Sequence, residues 1–217
     1  MDTAPGRLVQ APESFWTYVP NPLPPPLEPS WEIMRRLSEA DRALAQLAGT
    51  GAMLPNPHLL IDPFLRREAA LSSRIEGTTA TVRQLVLFEA TDVQQTNDEP
   101  EVHNYVLAME LGLDLLKRLP VSLRLIREVH AQLLQDTRGA EMQPGQFRQQ
   151  QNMIADSRNQ SVVDARFVPP SVPEMPHALH ELEQYIHASC DLPPLIRLAL
   201  IHYQFEAIHP FMDGNGR

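Results

Sequence analysis

A chain of 217 residues, 43% hydrophobic and 21% charged, has enough material for one substantial core or a core with a packed accessory region. Its formal charge of −9 argues against broad contact with nucleic acid, which needs clustered Lys and Arg, and leaves room only for a small basic site. Cys190, the single cysteine, excludes an internal disulfide and a thiolate zinc cluster; it suits a reducing cytoplasm and reads as a small buried apolar residue.

Eight of the 21 prolines fall before residue 30, which predicts an extended polyproline arm over 1–29 whose aromatic residues, Phe15, Trp16 and Tyr18, pack on something or dock another protein. The opening residues carry neither a basic start nor an apolar run, and no stretch of about 18 apolar residues follows, so the chain reads as cytoplasmic. From Ser30, Ile33, Leu37, Ala40, Leu44 and Leu47 recur at helical spacing and predict a buried face on a helix capped by Ser30 and ended by Gly49. Asp62 and Pro63 read as the opening of a second helix, broken by Gly77 and Thr78. Thr81 and Gln84 have the spacing of a capping box. Val102, Tyr105, Val106, Met109, Leu113 and Leu116 mark a longer helix closed by Pro120, and Ser122 caps another with Leu125, Val129, Leu133 and Leu134 inward.

Helical rhythm stops over 138–172. The flanks Phe147–Ile154 and Val162–Val168 predict two strands of a hairpin around turn formers at Asp156–Asn159, with Gln149–Asn152 readable as a solvated strand. Two more helices follow, marked by Met175, Leu179, Leu182 and Ile186, then by Leu195, Ile196, Ala199, Leu200 and Tyr203. The fold class expected is all-α with one β-hairpin, divided into an arm (1–29), an N-terminal helical region (30–98) and a core (99–217).

The chemistry collects in the last nine residues, HPFMDGNGR. Gly214 and Gly216 flank Asn215, so the backbone is free to take positive φ and its N–H groups can approach a ligand as an anion nest. Arg217 brings a planar fork suited to phosphate oxygens, and Asp213 a hard carboxylate able to hold Mg²⁺. His209 is the nearby side chain whose ordinary pKa suits general-base work. A phosphate cradle, a metal carboxylate and a base within so short a span point to phosphoryl or nucleotidyl transfer. With average residue usage, eight such matched positions arise by chance on the order of 10⁻⁸ times in a chain this long.

This string resembles the Fic signature, HPFx[DE]GNGR, and PGQFR at 144–148, RFVPP at 166–170, HYQFEAIHPF at 202–211 and REAALSSRIEGT at 67–78 resemble the corresponding family segments. The resemblance covers about residues 30–217 and implies a Fic-type helical core with a hairpin flap. It implies a protein adenylyltransferase that moves AMP from ATP to a Ser, Thr or Tyr hydroxyl of target proteins and of itself. His209 would take the hydroxyl proton, Asp213 would hold Mg²⁺, and Asn215 with the N–H groups of Gly214 and Gly216 would cradle the phosphates. Arg217 would bind their terminal oxygens, Phe211 would anchor the loop in the core, and Pro210 would stiffen it. The flap at roughly 147–168 would hold the target by main-chain pairing. A homodimer is a further expectation.

SSRIEG at 72–77 fits the family's inhibitory pattern, [ST]xxxE[GN], through Ser72, Glu76 and Gly77. The resemblance implies that Glu76 competes for an arginine that otherwise binds the ATP γ-phosphate, with Ser72 steadying it from one turn away. Family loops usually continue to a second arginine three residues past Arg217, the usual partner of that glutamate. The chain ends before it, so the piece is expected to be poorly stable and weakly active or inactive alone. Rival readings are a hydrolase that removes AMP at the same site, transfer of phosphate or phosphocholine, and a nucleotide-binding interaction module without turnover. His202 and His130 read as packed or capping histidines, since no further ligands cluster with them.

Overall fold

The computed structural model describes residues 4–12, 14–56, 58–75, 77–91, 93–94, 96, 98–137, 140–155, 161–162 and 165–217. Among them the chain runs β1 (Gly6–Gln10), β2 (Trp16–Pro20), α1 (Trp31–Ala52), α2 (His58–Ile75), α3 (Val82–Thr91), α4 (Glu99–Leu115), α5 (Leu123–Leu133), α6 (Met175–His187) and α7 (Pro194–Ile208). The class is mostly helical with one small antiparallel hairpin, as the sequence predicts. The hairpin, however, is not where the sequence placed it. β1 and β2 pair in register from Gly6 with Pro20 to Gln10 with Trp16. The first prolines lie at 5, 12 and 20, outside or at the edge of two proline-free segments, so the ladder forms before the dense run begins.

Among the described residues, the predicted flap strands reduce to a single reciprocal bridge. Ile154 N–H donates to Phe167 O (2.8 Å) and Phe167 N–H to Ile154 O (3.1 Å). The other limb is extended by β2 instead, through Tyr18 N–H to Val168 O (2.8 Å). The Tyr18 ring packs on Phe167, and its hydroxyl meets the Tyr203 hydroxyl on α7 (2.8 Å). The arm's aromatic residues thus divide: Tyr18 is docked and Trp16 is 58% exposed. The predicted turn at Asp156–Asn159 lies outside the described residues.

Helix starts follow the local signals. Ser30 and Ser122 accept from Ile33 N–H (3.2 Å) and Leu125 N–H (3.3 Å). Thr81 Oγ1 accepts from Gln84 N–H (3.3 Å) while Gln84 Oε1 accepts from Thr81 N–H (3.0 Å), a reciprocal capping box opening α3. α2 ends in a Schellman pattern: Gly77, at φ 92°, donates to Arg74 O, and Thr78 N–H reaches back to Ser73 O (both 3.1 Å).

Two helix expectations need correction. α2 opens at His58, not at Asp62, and runs through Pro63, giving up one backbone bond where the ring has no N–H. α1 continues past Gly49 to Ala52 and contains no buried residue. Its apolar stripe is open, with Ile33, Leu44 and Leu47 at 48%, 50% and 69% exposure, because no other described element packs along it. Periodicity shows that a helix has an apolar face; it does not supply the neighbour that covers it.

Two apolar clusters form the interior. One joins α2, α3, α4 and α5 through Ala69, Ala70, Leu85, Val102, Val106 and Leu133. The other joins α6 and α7 through Met175, Leu179, Leu182 and Ile208. Half of the α4 stripe faces outward instead, with Leu113 and Leu116 at 53% and 45% exposure. The segment 209–217 leaves α7 and lies against α5, within reach of both clusters. No described helix is long and apolar enough to cross a membrane.

Candidate active site

The signature loop starts from a strained residue. His209 caps α7 in the left-handed region, at φ 49° and ψ 61°, with its N–H on Phe205 O (2.9 Å). Such a conformation costs a non-glycine residue about 1–3 kcal/mol and persists only where the surroundings fix it. Here they do. The His209 carbonyl accepts from Arg148 Nε (3.1 Å) and Asn152 Nδ2 (3.2 Å), and the next carbonyl, of Pro210, accepts from Arg148 N–H (2.9 Å). Asn152 Nδ2 also donates to Phe211 O (2.8 Å). The stretch read as a solvated strand therefore turns Asn152 inward, onto the loop.

Arg148 is 1% exposed, and its side chain meets only carbonyl oxygens among the described residues: besides His209, those of Pro170 (2.5 Å) and Gln150 (3.5 Å). Burial pushes its pKa down to about 10, so it stays charged at neutral pH. The His209 imidazole is held below its ordinary pKa, first by burial and then by the Arg148 charge, with the Glu206 backbone carbonyl pulling the other way. Its Nδ1 makes no hydrogen bond of ordinary geometry among the described residues, and Glu206 Oε2 lies 3.9 Å away.

Phe211 is 1% exposed and stacks on His130, ring centroids 3.6 Å apart and 6° from parallel, with Phe147 and Phe205 at its edges. His130 is not merely packed. Its Nδ1 accepts from Gly145 N–H (2.9 Å), which assigns the neutral tautomer with Nε2–H donating to Asp213 O (2.9 Å). Burial lowers its pKa, against the raising effect of Asp213. One imidazole thus joins α5, the 145 turn and the middle of the loop. His202, expected to be packed or helix-capping, is exposed.

The phosphate-binding residues are placed in a closed arrangement. Asn215, expected to reach a ligand, spends its amide on Phe211: Oδ1 accepts from Phe211 N–H and Nδ2 donates to Phe211 O, both 2.8 Å. Gly214, at φ 76°, donates to Asp213 Oδ1 (2.7 Å), and Gly216 is exposed. Arg217 Nη1 bonds Glu101 Oε2 on α4 (3.2 Å) and Nη2 bonds Asp213 Oδ2 (3.3 Å). The side chains of Arg217 and Glu101 are only 4% and 6% exposed, while that of Asp213 is 40% exposed. Behind the loop lies an apolar cavity of about 370 Å³ lined by Leu125, Val129, Leu182, Ile201 and Phe205 among others. No cluster of three or more His, Cys, Asp or Glu able to hold a metal ion occurs among the described residues.

Of the inhibitory pattern, Ser72 is half-buried near the end of α2 and Gly77 forms the turn; Glu76 lies outside the described residues. The turn is tied to the start of α4 by Thr79, whose N–H and hydroxyl both donate to Asp98 Oδ2 (2.6 and 2.8 Å). Glu101 follows three residues later. Sequence reasoning missed Arg148, Asn152 and Glu101 as contributors. Arg148 stood in a quoted family segment without a role, and Glu101 in a first helical turn reads as no more than a charge facing the helix dipole.

Two sequence profiles match the chain: the Fic/DOC family N-terminal region over 34–114 and the Fic/DOC family domain over 120–217. A relative from Drosophila virilis, protein adenylyltransferase Fic, is 31% identical over 150 residues, 66% of this chain and 28% of that protein. The chain therefore spans less than a third of the length of the curated relatives it matches. A Fic family protein from Desulfovibrio desulfuricans G20 shares the fold with a TM-score of 0.68 at 24% identity, covering 89% of this chain and 56% of that one. A Fic-domain signaling protein from Bacteroides thetaiotaomicron follows with a TM-score of 0.64 at 23% identity, covering 84% and 67%.

Proposed function

The chain belongs to the Fic/DOC family, and we propose on that footing that it is the catalytic part of a protein adenylyltransferase that moves AMP from ATP to a target hydroxyl. The observation that carries the reading is the loop geometry: a strained, half-buried imidazole, kept neutral by burial and a cation, at one end of a turn whose other end holds an arginine. His209 accepts the proton of a Ser, Thr or Tyr hydroxyl as its oxygen attacks the α-phosphorus, and pyrophosphate leaves. Gly214 and Gly216 let the backbone approach the phosphates. Asn215 works one step removed, holding the turn closed on Phe211, and Pro210 and Phe211 anchor it. Arg217 takes phosphate oxygens once it leaves its carboxylates.

Asp213 fits a Mg²⁺ site in this chemistry: it is a hard oxygen donor, 40% exposed, at the mouth of the loop. A single carboxylate with substrate phosphates and waters is an ordinary way to hold that ion, which when bound neutralises phosphate charge. An acceptor segment would add along the 151–155 limb, because the 167–168 limb already has β2 beside it. The boundaries at 29/30 and 98/99 and a cytoplasmic location belong to the same proposal, as does a homodimer.

Autoinhibition by Glu76, with Ser72 and Gly77, belongs to the same proposal and rests on the fit of residues 72–77 to the family's inhibitory pattern. The turn that carries Gly77 is bonded to Asp98, and the same helix end holds Arg217 through Glu101. The test is incubation with ATP labelled at the α- or γ-phosphate. Protein retaining only the α-label, with loss of the signal in His209→Ala, is the expected result. Retention of the γ-label would identify a kinase-like reaction, release of AMP from a modified target a hydrolase, and binding without either label a nucleotide-sensing module.

A further inference from the structure

We propose that Arg148 is a positioning residue for this transfer, holding the His209 carbonyl in place and keeping a buried positive charge against its imidazole. The inference rests on the reading of His209 as the proton acceptor. Three observations carry it. First, the guanidinium is 1% exposed yet pairs with no carboxylate among the described residues; all its partners are carbonyl oxygens. A buried cation left without a counter-ion is costly, and removing it would spare that cost unless its charge or geometry is used. Second, its side chain bonds the His209 carbonyl at the entry to the loop and the Pro170 carbonyl at the far side of the flap base, while its backbone N–H bonds the next loop carbonyl, of Pro210. A single side chain thereby ties the flap to the base-bearing residue. Third, His209 sits in the left-handed region, where only such external bonds hold it.

The charge has a consequence beyond geometry. The groups facing the imidazole are Glu206 on α7, with Oε2 3.9 Å from Nδ1, and Arg148 from the flap base. Within its own loop, Asp213 is engaged by Arg217 and Gly214 N–H. Burial is the larger cause of the lowered His209 pKa, the Glu206 backbone carbonyl opposes it, and the Arg148 charge adds to it, so Arg148 helps keep the ring free to accept a proton near neutral pH.

The experiment uses the full chain with Arg148→Met and Arg148→Lys, and reads steady-state kinetics, circular dichroism and the His209 imidazole titration by NMR. Arg148→Met should lower kcat on the order of a hundredfold at nearly unchanged KM for ATP, as misplacement of a catalytic group does. Its His209 should titrate at higher pH than in the parent. Arg148→Lys keeps the charge but cannot bridge His209 and Pro170, so it should titrate like the parent while turnover still falls. A folded Arg148→Met protein with an unmoved His209 titration would overturn the proposal. So would Arg148→Lys with full turnover, which needs no Met variant to be informative. The titration is independent of activity: if the parent transfers no AMP, the functional reading fails while the charge effect is still measured.

Discussion

The two ends of the signature loop are held by opposite kinds of contact. At the His209 end, a buried guanidinium and an amide donate to backbone carbonyls of the loop itself, so these bonds fix the loop's own main chain. At the Arg217 end, a guanidinium is held by two carboxylates, Glu101 and Asp213, whose place phosphate oxygens can take. The first end is built to stay and the second to exchange. Catalysis by positioning requires a fixed base, while regulation requires a contact that can be competed away.

Breaking the fixed end should have the largest effect. Asn152→Ala removes one of the two side-chain donors on His209 O and the only bond from the flap to Phe211 O among the described residues. Turnover should drop by between about tenfold and a hundredfold with ATP affinity nearly kept, as measured by single-turnover labelling and calorimetry. Equal loss in both would mean the flap serves the nucleotide rather than the base. Under the proposed autoinhibition, Glu76→Gly should raise self-modification about tenfold, corresponding to about 1.4 kcal/mol in the balance of inhibited and competent states. Unchanged labelling would leave Glu76 without an inhibitory role. Glu101→Gln should tighten ATP binding by about fivefold, because Arg217 loses its buried ionic partner, and should lower the melting temperature for the same reason. No change in ATP affinity would show that Arg217 does not reach the nucleotide.

The smallest effect concerns pH. His130 and His209 both have folded-state pKa values below the ordinary histidine value. The unfolded chain therefore binds more protons than the folded one as pH falls below about 6.5. The stability these neutral rings contribute is fully present above that pH and is lost progressively on acidification. Melting temperature should decline below about pH 6.5, and His209→Asn should shallow the decline without removing it, since His130 remains.

Some of this molecule follows from neighbours a few residues apart. The Ser30 and Ser122 caps, the Thr81–Gln84 box and the Gly77 helix end involve partners within five positions, so their geometry is nearly written into the residue order. The loop chemistry was legible for a related reason, its reactive residue types falling in one short span. The α1 stripe, the flap strands and the role of Asn152 were not legible. Each depends on what lies opposite: no described element packed along Ile33 and Leu47, β2 beside Val168, and the His209 carbonyl against Asn152.

Sequence alone determined the helical class, the starts of most helices and the identity of a base, a carboxylate and an arginine beside two glycines. Tertiary structure decided which of those groups face outward, that Asn215 holds the turn, that Glu101 holds Arg217, and that Arg148 stands behind His209. The reason is range. Caps and turns are settled by torsions and hydrogen bonds within one turn of chain, whereas contacts such as Arg148 with His209, 61 positions apart, exist only after the chain has closed on itself.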